Sequence, residues 1–159
     1  MTSGKLTITI EEARLTRDTE TFSKMDPYCV FQLREHIVRT KTITNAGKTP
    51  KWNETFSIDV KYIGDDFTIT VKDEDIGSDD IVGIGQGKIS AMCVPGGIDE
   101  WYVVSHKGKN AGQVRIRSAW APIGGMGASG FAMGSGVNAK GAVDMSGMSG
   151  AAQMQAMFG

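Results

Sequence analysis

Apolar side chains recur at every second position in segment after segment of this chain, and nowhere do they sustain a helical period. Between Lys5 and Glu11 they occupy positions 6, 8 and 10, the pattern of a strand with one buried and one wet face. The same reading predicts strands over Pro27 to Leu33, Ile37 to Ile43, Trp52 to Val60, Phe67 to Val71, Ile81 to Ile89, Trp101 to Val104 and Gln113 to Trp120. Glu35-His36 would be the tight connection of a hairpin between the second and third. About eight short strands separated by turn-rich segments imply an all-β chain, an eight-stranded antiparallel β-sandwich.

Composition sets the extent of that fold. Of 21 glycines, ten lie between Ala121 and Gly159, together with six of the nine methionines, eight alanines and four serines. That stretch has only Lys140 and Asp144 as charges, so it cannot bury enough surface to offset an ordering entropy of about 1–2 kcal/mol per residue. The reading is a sandwich over 1–120 and a Gly/Met/Ala/Ser-rich low-complexity tail over 121–159. A net charge of −1 lacks the bulk basicity of a nucleic-acid coat. No apolar run approaches the roughly 20 residues of a membrane helix, and the N-terminus has no signal-peptide core, so a cytoplasmic location is expected. Cys29 and Cys93 are too few for a disulfide framework or a zinc site and are expected as reduced thiols.

The charges that remain informative are local. Asp73-Glu74-Asp75-Ile76-Gly77-Ser78-Asp79-Asp80 places five carboxylates in eight positions, a repulsive arrangement unless water screens it or a cation neutralises it. Asp73 and Asp75 point the same way, and Gly77 allows the chain to turn so that Asp80 comes back toward them. A second acidic group, Glu20 and Asp26, lies in the connection between the first two strands, and in a sandwich the two loops can share one end. Hard oxygen ligands without imidazole or thiolate select calcium over zinc, and a flexible loop favours calcium over magnesium. A solvated acidic loop is the alternative on spacing alone.

Three motifs extend this reading. Asp26-Pro27-Tyr28-Cys29-Val30 opens a strand, Thr49-Pro50-Lys51-Trp52-Asn53-Glu54-Thr55-Phe56 enters another, and Asp73-x-Asp75 runs to Asp80-Ile81-Val82-Gly83. In this order, over about residues 4–120, they resemble the C2 domain family, the calcium- and lipid-binding sandwiches of protein kinase C, synaptotagmin and small plant elicitor-responsive proteins. The strand order looks like the topology used by phospholipases and novel kinases. The resemblance implies Ca2+ held at the loop end by Glu20, Asp26, Asp73, Asp75 and Asp80, with Asp79 as an alternate last ligand. Glu20 stands where the family normally offers aspartate. It further implies docking on an anionic phospholipid surface, so that the protein becomes peripheral to membranes when calcium binds. Divalent ions would reverse the sign of a loop end that otherwise repels an anionic bilayer.

Phe22 and Ile76, apolar residues at the two loop crests, are the expected membrane contacts. Tyr28, Arg39 and Lys41 resemble the lipid-headgroup residues that some family members carry, with Arg39 and Lys41 on one strand face. A solvated face is the competing reading. Neither a nucleophile with a base nor a phosphate-cradling glycine loop is present, so no enzymatic activity is expected. The function implied is a membrane-docking adaptor. A structural, self-assembling protein is the alternative, with residues 121–159 linking subunits into a homo-oligomer or engaging a protein partner, since methionine is an adaptable apolar contact and glycine permits close backbone approach.

Overall fold

The computed structural model describes residues 3–20 and 23–123. The tail beyond 123 and the loop-crest residue Phe22 therefore lie outside the described residues. Eight strands follow one another: β1 (Ser3–Leu15), β2 (Pro27–Leu33), β3 (His36–Arg39), β4 (Lys51–Val60), β5 (Asp66–Asp73), β6 (Asp80–Lys88), β7 (Asp99–His106) and β8 (Lys109–Ile123). The helical content among the described residues is one 3-10 turn, Ile89–Ala91. None of these elements is a helix long and apolar enough to cross a membrane.

The hydrogen-bonded order is β3-β2-β5-β6-β7-β8-β1-β4. β6 and β7 are joined through a single pair, Ile84 with Ser105, and the ribbon folds over at this seam into two layers, β3-β2-β5-β6 and β7-β8-β1-β4. Between them lie Leu6, Ile8 and Ile10 of β1, Phe31 of β2, Phe67, Ile69 and Val71 of β5, and Val114 and Ile116 of β8, all fully buried. Phe31 stacks on Phe67 within one layer at 5.1 Å, and Tyr102 of the other layer meets Phe67 edge to face at 5.5 Å, so an aromatic contact keys the two layers together. Gly85 sits at the seam, where a Cβ would stand 2.5 Å from the Val103 carbonyl oxygen.

Several expected boundaries move: β7 and β8 are each longer at both ends than expected, β8 running past Trp120 to Ile123, and for β1 and β3 the reason is visible. β1 continues past Glu11 to Leu15 because a bulge shifts the register between Ile10 and Glu12. The inward positions change from even (6, 8, 10) to odd (Ala13, Leu15), so simple alternation stops where the strand goes on. β3 ends at Arg39, earlier than the expected Ile43, because the Thr40 hydroxyl turns inward and accepts the Cys29 N–H at 2.9 Å. The β2–β3 turn is Arg34-Glu35, with Leu33 opposite His36, rather than Glu35-His36. Cys29 is fully buried and neither cysteine is disulfide-bonded.

Candidate functional site

Strand parity creates the centre of the site. Phe67, Ile69 and Val71 face inward along β5, and the next inward position is Asp73, leaving a carboxylate only 1% exposed. A charge so placed must be hydrogen-bonded. The Thr19 hydroxyl donates to Asp73 Oδ2 at 2.7 Å and the Asp26 backbone N–H to Asp73 Oδ1 at 2.8 Å. Asp73 thereby ties the β1–β2 loop to the β5–β6 loop.

A second bulge selects its neighbour. Pairing of β5 with β6 slips between Val71 and Lys72, so that Val71 faces Gly83, Lys72 faces Ile81 and Asp73 faces Asp80. Val82 is the residue passed over, and its side chain is fully buried. A regular ladder continued from Val71 would instead set Asp73 against Ile81. Directly opposed residues have Cβ atoms about 4.5–5.5 Å apart, so the slip places two carboxylates side by side. Asp75 approaches from the loop beyond β5 and Glu20 from the loop beyond β1. Oxygen atoms of Glu20, Asp73, Asp75 and Asp80 lie within 4.8 Å of one another.

The other acidic residues are directed elsewhere. Asp79 Oδ2 accepts the Tyr28 hydroxyl at 2.5 Å and its Oδ1 accepts the Asp75 N–H at 3.0 Å, closing the loop around Gly77. Those two bonds hold the Asp79 carboxyl below its usual range, the Tyr28 bond contributing most. Asp26 is not among the four; its Oδ1 caps the Asn45 N–H at 2.7 Å. Glu74 faces outward to the Thr42 hydroxyl and to Arg39 Nη2, the latter at 3.1 Å.

Glu20 shows what gathering these charges does. Its carboxyl is pushed up from 4.5 to about 7, first by the hydrogen bond it shares with Asp73, with burial and the charges of Asp73 and Asp75 adding to it, against the lowering effect of a bond from Ser23. The Ser23 hydroxyl donates to Glu20 Oε1 at 3.2 Å. The group would rather keep a proton than add a fourth negative charge. Four hard oxygen donors on two loops, without nitrogen or sulfur, fit Ca2+ by the chemistry of the donor set.

Ile76, in the loop between β5 and β6, is fully exposed. The headgroup candidates do not form an open basic face. The Arg39 guanidinium lies 3.7 Å over the Tyr28 ring and pairs with Glu74, and the Tyr28 hydroxyl, pushed up to about 12 mainly by burial and then by Asp79, is committed to that carboxylate. Lys41 stands outside β3, so it does not share a strand face with Arg39. Sequence reasoning passes over Thr19 and Ser23, which hold Asp73 and Glu20. Their only signal is a run of hydroxyl residues beside the first acidic group.

Comparison with known proteins gives the same picture. The model of the C2 domain family matches residues 4–104. Synaptotagmin-4 of Arabidopsis thaliana is 28% identical over 134 residues, covering 76% of this chain and 23% of that protein, so the chain spans about a quarter of the relative's length. Among solved structures, a C2 domain-containing protein from a putative elicitor-responsive gene superimposes with a TM-score of 0.63 at 24% identity, over 79% of this chain and 94% of that one. The calcium-bound tandem C2 domains of Extended-Synaptotagmin 2 superimpose with a TM-score of 0.63 at 26% identity, over 74% of this chain and 45% of that one.

Proposed function

The chain belongs to the C2 domain family, and from that membership we propose that its acidic loop end is a calcium-dependent phospholipid-binding surface and the protein a membrane-docking adaptor. The observation that carries this reading is the convergence of Glu20, Asp73, Asp75 and Asp80 within 4.8 Å from two separate loops. These four residues would hold Ca2+; Asp26, whose Oδ1 caps the Asn45 N–H, would join them as a fifth through its other oxygen. In this reading the sandwich, whose last strand runs three residues past the expected limit of 120 to Ile123, carries the activity, and the low-complexity segment that follows is separate. The calcium-bound state of a structural neighbour supports the choice of ion.

Calcium supplies positive charge that reverses the electrostatic sign of the loop end. The protein's residues do the rest. Asp73, fixed by Thr19 and the Asp26 N–H, is the anchored carboxylate. Asp80 is aligned with it by the slipped β5–β6 register, and Asp75 is positioned by the bond from its own N–H to Asp79. Glu20 gives up its proton to join them. Ile76 projects beyond the charges and enters the headgroup boundary once the repulsion is removed. Cations brought near an anionic leaflet contribute about 1 kcal/mol each.

The test is calcium titration of the full chain by calorimetry, wild type against Asp73→Asn/Asp75→Asn, followed by sedimentation with phosphatidylserine vesicles. Saturable heat that the double substitution removes, with calcium-dependent pelleting, is the expected result. No heat up to about millimolar calcium, the weak end of known protein sites, would overturn the proposal.

A further inference from the structure

A basic hairpin shares the acidic end of the sandwich. β5 runs into the acidic loop, β6 runs away from it, and β7, antiparallel to β6, returns, so the β7–β8 turn emerges at the same end as Ile76. The start of β8 is bonded to the start of the first loop: the Thr16 and Arg17 N–H groups both donate to the Ala111 carbonyl, at 2.9 and 3.3 Å, and the Thr16 hydroxyl donates to the Asn110 carbonyl at 3.4 Å.

The turn itself is Lys107-Gly108, with His106 opposite Lys109. Both central residues are left-handed, φ 51° and 80°, the two-residue turn that matches strand twist. Lys107, Gly108 and Lys109 are exposed. Ion pairs among the described residues engage Arg34, Arg39, Lys88, Arg115 and Arg117, but not Arg17, Lys107 or Lys109. Arg17 Nε is buried without a hydrogen-bond partner. The His106 imidazole is held below its usual range, by burial and then by the charges of Arg17 and Lys107, so these cations act on one spot.

We propose that the β7–β8 hairpin, with Arg17 behind it, is a second, calcium-independent contact for the anionic face of a lipid bilayer, set beside the calcium loops. The proposal rests on the membrane-docking reading above. A flat anionic surface is favoured because the exposed apolar tip at Ile76 and the exposed lysines lie at the same end of the sandwich. An anionic pocket ligand would need convergent walls, whereas these lysines stand on a convex turn. The hairpin gives the protein residual attraction to the membrane before calcium arrives.

The experiment is sedimentation of the full chain with vesicles of phosphatidylserine and phosphatidylcholine in about a one-to-three ratio, in chelator and in calcium, at low and high salt. The variant is Lys107→Asn/Lys109→Gln, because Asn-Gly preserves the turn, and its melting midpoint and calcium heat should match wild type. In chelator, wild type should pellet weakly and lose this in high salt, and the variant should not pellet. In calcium, the variant should bind about 30-fold more weakly, from about fivefold per lysine. A variant equal to wild type in both conditions overturns the inference while leaving the calcium reading intact. Equal wild-type binding with and without calcium, lost in the variant, refutes the calcium switch and keeps the hairpin contact. Wild type that pellets in neither condition overturns both. Tighter retention on a single-stranded oligonucleotide than on the vesicles overturns it in favour of nucleic acid.

Discussion

Calcium binding to this protein should release a proton, and the amount is set by one side chain. Glu20 titrates at about 7 because it shares a hydrogen bond with Asp73 and faces the charges of Asp73 and Asp75, whereas a metal ligand must be ionised. At pH 7 calcium should therefore expel about half a proton per site, and at pH 8 about a tenth. Apparent affinity should fall about tenfold between pH 8 and pH 6, since most of the Glu20 population must then be deprotonated at the expense of binding. The assay is calorimetry at pH 7 in two buffers of different ionisation enthalpy: the difference in observed heat gives the protons released. In Glu20→Gln that difference should vanish and the affinity should become flat across this range, at a lower level. Linkage also fixes the sign for the calcium-free fold. A carboxyl raised from 4.5 to about 7 on folding contributes stability that is complete below about 4.5 and lost as pH rises through about 7. The melting midpoint without calcium should fall over that window, and saturating calcium should restore it. Identical heats in the two buffers, or a proton release that survives in Glu20→Gln, would refute the reasoning.

Other consequences are sharper in outcome than in magnitude. Ile76→Asn, which adds no charge, should leave the calcium heat unchanged and weaken vesicle pelleting at least tenfold, because the residue is fully exposed and touches only what the loop end meets. Thr19→Val removes the hydroxyl that satisfies the buried Asp73 and should lower thermal stability by about 1–3 kcal/mol; a deficit that calcium fails to narrow would exclude the proposed role of Asp73. Phe31→Ala should cost about 3–5 kcal/mol, seen as a lower urea midpoint, since the ring is fully buried against Phe67. In the native protein Cys29 should resist thiol reagents at pH 8, its thiol being pushed up to about 12 by burial; rapid labelling before denaturation would show that the β2 interior opens.

Much of the architecture is legible in period-two alternation because strands such as β1, β4 and β5 have one buried and one wetter face, and a run such as Phe67-Thr68-Ile69-Thr70-Val71 has one reading. What alternation hides is a change of phase. The register shift between Ile10 and Glu12, where β4 carries the extra residue, comes where the inward phase of β1 changes and makes it look finished four residues early, and the inward turn of Thr40 shortens β3; both are decided by contacts with distant strands. The gathered carboxylates are legible as residue types at a spacing, and the preference for Asp80 over Asp79 is legible in the Ile81-Val82-Gly83 that follows it; the slipped β5–β6 register that sets Asp80 opposite Asp73 is not. The stacking of Arg39 on Tyr28 is hidden for the same reason: both residues look like free surface groups until the fold brings Glu74 and Asp79 against them.

The passed-over residue in β6 has an evolutionary meaning, and it is one-sided. Remove Val82 and the ladder runs regularly from Val71, with Lys72 still across from Ile81 and Asp73 still across from Asp80; what is lost is a buried apolar side chain beneath the carboxylates. Insert a residue between Asp80 and Ile81 and the newcomer takes the place opposite Asp73, moving Asp80 out of line in a single step. Point substitutions can only weaken such a cluster one charge at a time. The sense of a one-residue gap at this place in an alignment would therefore be informative: a shorter β6 is compatible with a gathered cation site, whereas a longer one disperses it even with every acidic residue retained.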